Sequence, residues 1–328
     1  MKKLFKVLKR LFLGFIVFIL LVSVSVFGYH RYQLNKELVT MNSKGTLVEF
    51  QNKKINVYNE GIGENTFVFM SGSGIAAPVY EMKGLYSKFS KDNKIAVVER
   101  AGYGYSDVFD DNRDIDTILE QTRNAIIQSG NKPPYILVPH SLSGIEAIYW
   151  AQKYPNEVKA IIALDIGLPE QYVNYKMGFL DSLTIRGMNL LTKMGFHRLA
   201  PSITYNPEVI EQTFLTEHEK EMYKAISYNQ FFNDDMEQEL IQSYNNSKKS
   251  VNLPIPKETP ILFVDAYLDK NSKYAKQNYK DYKEFAEQLF ISDVIQIKST
   301  HSIYLYFPDE IYNLTMDFIN NNNELKMN

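Results

Sequence analysis

The stretch Val138-Pro139-His140-Ser141-Leu142-Ser143-Gly144 ends a β-rich run and opens a helical pattern. A serine at such a junction can do acyl chemistry. Its hydroxyl must be pushed out to where a base can reach it, and backbone N–H groups must stand ready for an oxyanion. A sharp strand-to-helix turn meets both demands, at the cost of a strained backbone that favours small residues two positions to either side. Ser143 is small; Pro139 lacks an N–H and has a fixed φ, which a strand end tolerates. Gly144 lets the new helix pack closely on the strands. A serine that merely caps a helix would occupy the same place, so the rest of the chain has to decide.

The elements needed to hold such a turn are legible. Eight segments read as strands: TLVEF (46–50), INVYNE (55–60), TFVFMSG (66–72), KIAVVER (94–100), YILVPHS (135–141), VKAIIALDI (158–166), PILFVDA (260–266) and DVIQIK (293–298). Ile115, Ile118, Leu119, Thr122 and Ile126 share a helical face, with Asp114 and Asp116 at its start. Residues 142–154, 274–290 and 309–319 repeat that pattern. Strands alternating with helices predict an α/β protein whose mostly parallel sheet is covered on both faces. From 167 to 257 no strand pattern occurs, and two long amphipathic runs predict an inserted helical cap. The core then comprises residues 46–166 and 258–328, joined to the N-terminus by a connector over 29–45.

Residues 11–28, LFLGFIVFILLVSVSVFG, carry no charge and follow Lys2, Lys3, Lys6, Lys9 and Arg10. As a helix they span about 27 Å, close to the thickness of bilayer hydrocarbon. The basic side faces the cytoplasm, so residues 1–10 lie inside and the rest of the chain outside, as a single-pass anchor. The rival is a cleaved signal peptide and a secreted product; Ser23-Val24-Ser25 offers small residues, but there is no Ala-x-Ala. Beyond residue 32 the chain holds 30 basic against 38 acidic residues, which disfavours nucleic acid as a partner. With no cysteine, disulfides, thiolate metal sites and a cysteine nucleophile are excluded.

VPHSLSG resembles the G-x-S-x-G nucleophile elbow of the α/β-hydrolase superfamily, with Pro139 and Ser143 at the glycine positions and Ser141 as nucleophile. Ser71-Gly72-Ser73-Gly74, at the end of TFVFMSGSG, stands where the family commonly has His-Gly-x; the resemblance makes the N–H groups of Ser73 and Leu142 the oxyanion donors. VVERAGYGYSD (97–107) is similar to D-x-P-G-x-G-x-S, with Glu99 and Ala101 as variants, and implies a structural role. Aligning ILFVDAYLD with the family pattern puts Ala266 at a glycine position and Asp269 at the acid, with Asp265 and Asp165 as alternatives. His301, in KSTHS between the last strand and last helix, is the implied base, and Thr300 replaces the usual glycine. Of the other histidines, His30 abuts the apolar segment, His197 and His218 fall in the cap, and His140 should point away from the nucleophile.

The resemblance thus implies an eight-stranded hydrolase sheet and a serine hydrolase with a small-molecule acyl substrate, a carboxylic ester above all, and no metal or organic cofactor. Serine at the elbow argues against halide-displacing and epoxide-opening relatives. Tyr172, Tyr175, Phe179, Met188, Phe231 and Phe232 of the cap are candidates to line an apolar pocket. Two other functions remain open. A proline-iminopeptidase-like enzyme would bind a substrate amine through cap acids such as Glu217, Glu219, Glu221, Asp234, Asp235 or Glu237. A ligand-binding receptor on the same fold would need no turnover.

Overall fold

A computed structural model describes residues 2–174 and 177–322. All eight segments form strands of one sheet: β1 (Thr46–Phe50), β2 (Lys53–Glu60), β3 (Thr66–Met70), β4 (Lys94–Glu99), β5 (Tyr135–Pro139), β6 (Val158–Leu164), β7 (Ile261–Tyr267) and β8 (Ser292–Lys298). Their spatial order is β1-β2-β4-β3-β5-β6-β7-β8. β1 and β2 join antiparallel at one edge, and every pairing from β4 to β8 is parallel.

The helices are α1 (Lys2–Thr40), α2 (Pro78–Glu81), α3 (Lys83–Phe89), α4 (Ile115–Gln128), α5 (Ser143–Lys153), α6 (Pro169–Val173), α7 (Phe179–Lys193), α8 (Pro201–Thr204), α9 (Pro207–Glu211), α10 (Glu217–Gln230), α11 (Asp234–Val251), α12 (Lys273–Ala286), α13 (Ile303–Tyr306) and α14 (Pro308–Asn321). Helices α6–α11 form a helical insertion between β6 and β7.

Strand periodicity sorts the core into two layers, because successive side chains point to opposite faces. Phe67 and Phe69 of β3 pack with Leu85, Phe89 and Phe318 on one face. Val68 and Met70 pack with Ile148 and Trp150 on the other. The central strands are buried on both faces, which explains their nearly unbroken apolar sequences.

The edge and the cap are fastened by buried polar groups. Glu99, at the end of β4, accepts hydrogen bonds from Asn56 Nδ2 (2.9 Å) and the Tyr105 N–H (2.8 Å). A Cβ on Gly104, whose φ is +55°, would overlap the Glu99 carboxyl, so the Gly-rich turn exists to let this side chain in. Arg100 donates to both carboxylate oxygens of Glu239 on α11, at 3.0 and 3.1 Å, and Tyr103 Oη donates to the same carboxylate at 2.6 Å. The structural role assigned to VVERAGYGYSD is therefore to join the sheet to the cap.

The N-terminal helix is longer than the apolar run. It continues through the expected connector to Thr40, with no Gly or Pro after Gly28 to stop it. Glu37 accepts two hydrogen bonds from Arg198 of the insertion, at 2.8 and 2.7 Å.

Two outcomes follow from this packing. A Cβ at Gly144 would lie 2.5 Å from Ile166 Cβ, so Gly144→Ala should lower stability by about 1–3 kcal/mol in a denaturation titration. Burial pushes the Glu99 carboxyl up to about 7 from 4.5, so the native state keeps a proton that the unfolded chain releases between those values. That contribution is complete below 4.5 and is lost as pH rises through 7. Stability measured against pH should move in favour of Glu99→Gln across this window.

Candidate active site

The elbow is built by three strands. β5 ends at Pro139, the His140 N–H reaches Met70 O of β3 at 3.0 Å, and the Ser141 N–H reaches Leu164 O of β6 at 3.4 Å. Between these ties and the start of α5, Ser141 adopts φ +55°, the left-handed region that a non-glycine residue occupies at a cost of about 1–3 kcal/mol. Its carbonyl accepts the N–H groups of Gly144 (3.0 Å) and Gly167 (2.9 Å), which hold the turn closed. The loop after β3 passes directly beside it. A Cβ on Gly72 would sit 2.8 Å from Ser141 Cβ, so only glycine fits there.

The other serine of the turn is occupied. Ser143 is buried, and its Oγ donates within reach of Met70 O (2.8 Å) and His140 O (2.9 Å) while accepting the His140 N–H. Ser141 is the one that opens to the cavity described below.

His301 follows β8, as expected, and its Nδ1 lies 2.6 Å from Asp165 Oδ2. Asp165 ends β6 with φ +43°, is nearly fully buried, and accepts the Ala266 N–H on its other oxygen at 3.2 Å. The carboxylate against the imidazole is therefore Asp165, the alternative acid, and not Asp269. β7 runs on through Tyr267, which carries Asp269 into an exposed turn where its carboxylate accepts the Asn271 N–H at 2.9 Å. Asp265 is also elsewhere. It is buried between the side-chain amides of Asn278 and Gln296, each at 2.8 Å, and burial pushes its carboxyl up.

His140 does not point away from the site. Its Nε2 donates to the backbone carbonyl of His301 at 3.0 Å, and the two rings lie 4.5 Å apart. Burial, followed by the neighbouring His301, holds His140 down at about 3, so it stays neutral. It fixes the loop that carries His301. No sequence signal marked this, because His140 lies just past the end of β5 and its partner is the backbone of a loop far away in sequence.

Ser73 follows the glycine that touches Ser141, and Leu142 is the first residue after the elbow. Among the described residues no backbone carbonyl accepts either N–H. The loop carrying Ser73 is braced from below, since Arg100 Nη1 donates to Ser71 O at 2.7 Å. Through Glu239 that brace reaches the cap.

Ser141, Asp165 and His301 share one cavity of about 1160 Å³. Its apolar lining includes Tyr172, Leu268, Tyr274 and Phe285. Its carboxyl groups are Asp165, Glu170, Asp269, Asp281 and Glu284, and no Lys or Arg lines it among the described residues. Of the six cap residues considered for this role, Tyr172 lines the cavity, Phe179 and Met188 are exposed, Phe231 stacks on His197 and Phe232 is buried away from the cavity; Tyr175 lies outside the described residues. None of the six cap acids considered for an amine lines it. Glu219 is tied to Lys44 and Lys83, Asp234 to Lys193, and Asp235 to the N–H groups of Phe109 and Asp110. No cluster of three or more His, Asp or Glu suited to a metal ion occurs among the described residues. The geometry is that of a serine hydrolase: a half-buried elbow serine open to the cavity and an imidazole oriented by a buried carboxylate, on one cavity.

No family model matches the chain. It is 66% identical over 321 residues to the uncharacterized protein YbdG of Bacillus subtilis (strain 168), covering 97% of this chain and 99% of that protein. A shorter match, 27% identical over 114 residues, is to an uncharacterized protein of Schizosaccharomyces pombe. Among solved structures, the chain is similar to epoxide hydrolase VrEH1 from Vigna radiata (TM-score 0.63, 17% identity, 84% of this chain and 97% of that one). It is also similar to a putative lipase from Acinetobacter baumannii AYE (TM-score 0.61, 16% identity, 89% and 96%). At those identities the likeness is one of fold. The sheet order, the helical insertion after β6 and these likenesses agree, and the chain belongs to the family of YbdG on an α/β-hydrolase fold.

Proposed function

We propose that this protein is a membrane-anchored serine hydrolase that cleaves a carboxylic ester, or a related uncharged acyl substrate, through an acyl-enzyme on Ser141. The observation that carries the reading is a left-handed serine at a strand-to-helix elbow, opening on the same cavity as the Asp165–His301 pair. With the Nδ1 proton held by Asp165, the His301 Nε2 lone pair is free to take the Ser141 proton. Oγ then forms a bond to the substrate carbonyl carbon, and the carbonyl oxygen becomes an oxyanion between the N–H groups of Ser73 and Leu142. Collapse of that intermediate breaks the bond to the alcohol, which leaves with the proton from Nε2. Water, deprotonated by the same nitrogen, releases the acid and restores the serine.

Electrostatics narrow the substrate. A cavity whose fixed charges are carboxylates repels free acids and phosphorylated groups, and its tyrosines and Leu268 suit an apolar acyl portion. The same acids give the amine-bearing substrate a specific footing, with Glu170, Asp281 and Glu284 replacing the cap residues first considered. A panel of neutral esters against aminoacyl and prolyl anilides separates the two. The ester reading expects turnover of the esters and none of the anilides; selective anilide cleavage would replace it.

The assignment of the acid is tested by a pair of variants. Asp165→Asn should lower kcat by roughly three to four orders of magnitude with little change in thermal stability, while Asp269→Asn should retain nearly wild-type kcat. The reverse result would return the role to Asp269.

The anchor rests on α1, whose segment Lys3–Val39 has an 18-residue window of mean hydropathy 2.8 that is entirely unburied, behind a basic N-terminus. The mature protein should sediment with membranes after alkaline extraction and have the mass of the uncleaved chain. A soluble product starting near Val26 would show the segment to be a signal peptide instead.

A further inference from the structure

Part of the cap's surface is apolar. Helix α7 carries Leu183, Leu190 and Leu191 outward, between 50 and 59% exposed, and the segment after it adds Leu199 and Ile203 at 64 and 62%. These are large side chains on a helix whose opposite face is satisfied: Asn189 is buried and donates to Phe232 O at 3.1 Å, and that face packs on α11. Leu183, Leu190 and Leu191 recur at helical spacing on one face, with half-buried Gly187 between them and half-buried Met194 just past the helix end. Arg186 is exposed, and Lys193 is paired with Asp234.

The position of α1 fixes where the C-terminal end of α7 lies. Its uncharged run ends at Gly28, and His30, about 3 Å further along the helix, is buried against the cap. A Cβ on Gly195, the residue that closes the turn after α7, would sit 2.4 Å from His30 Cβ. The His30 and His197 rings meet edge to face at 5.1 Å, and Arg198 clamps Glu37 about two turns higher. Tyr29 and Tyr32 are exposed at the same level, beside Arg31, the arrangement of a headgroup belt.

We propose that the exposed face of α7, with Leu199 and Ile203, is a lipid-contact surface on which the cap rests at the face of the bilayer that α1 crosses. The inference depends on α1 being an anchor rather than a cleaved signal. A single apolar helix lying in the interface buries its side chains about 5–10 Å into the headgroup boundary, and leucines flanked by Arg186 and Lys193 meet that requirement. A second copy of the chain is a weaker occupant, since the end of the stripe adjoins α1 just past its uncharged run.

The chain contains no cysteine, so one introduced cysteine gives a unique probe site. The full chain, reconstituted in phosphatidylcholine–phosphatidylglycerol vesicles, is labelled with an environment-sensitive fluorophore at Leu183→Cys, Leu191→Cys, Val17→Cys in α1, or Lys280→Cys in α12. Doxyl-lipid quenching is then read. The proposal expects the two α7 sites to lose more than about half of their emission to shallow doxyl lipids, Val17 to be quenched by deep ones, and Lys280 by neither. Quenching at Val17 with none at the α7 sites overturns the lipid surface and leaves the anchor intact. Blue-shifted but unquenched emission at α7 means protein covers the stripe, and also overturns it. If neither Val17 nor α7 is quenched, the anchor and the proposal fail together.

Discussion

Everything at the site depends on holding Ser141 in a backbone conformation that it does not prefer. The cost, about 1–3 kcal/mol, is a substantial part of the marginal stability of a domain and must be offset by neighbours. They are identifiable: Leu164 O and Met70 O on the flanking strands, the N–H groups of Gly144 and Gly167 on the serine carbonyl, and Gly72 packed where no side chain fits. Because β3, β5 and β6 are parallel neighbours, their C-terminal ends come together at one edge of the sheet. The same parallel order brings Asp165 from β6 and His301 from beyond β8 to that edge.

A second level of support comes from buried charge. Arg100 joins Glu239 of the cap to the carbonyl of Ser71 in the loop beside Ser141. An ion pair of this kind adds little net stability over apolar packing, but losing one partner strands the other, at a cost of about 3–5 kcal/mol. Its value here is geometric. The cap cannot shift on the sheet without disturbing the loop that carries Ser73. His140 plays a comparable part for His301, by donating to its backbone carbonyl rather than touching substrate.

The sheet was legible because its strands announce themselves twice, by apolar runs and by regular alternation with amphipathic helices. The placement of Ser141 and His301 was legible for a related reason: each sits in a short loop at a strand end, where topology leaves few places for a side chain to go. The acid was not resolved, since Asp165, Asp265 and Asp269 all lie within a few residues of a strand end. Only the extension of β7 to Tyr267 and the left-handed turn at Asp165 separate them. Contacts between distant segments left no local trace, so the roles of His140, Arg100 and Glu239 and the docking of α1 on Gly195 were invisible to pattern reading.

The most direct measurement of the central claim is to treat the folded full chain with a fluorophosphonate and map the adduct by peptide mass spectrometry. The account predicts a single adduct, on the Ser141 hydroxyl, lost on heat denaturation before labelling and strongly reduced in His301→Ala. A folded chain that takes up no label, or takes it at Ser143, would contradict it.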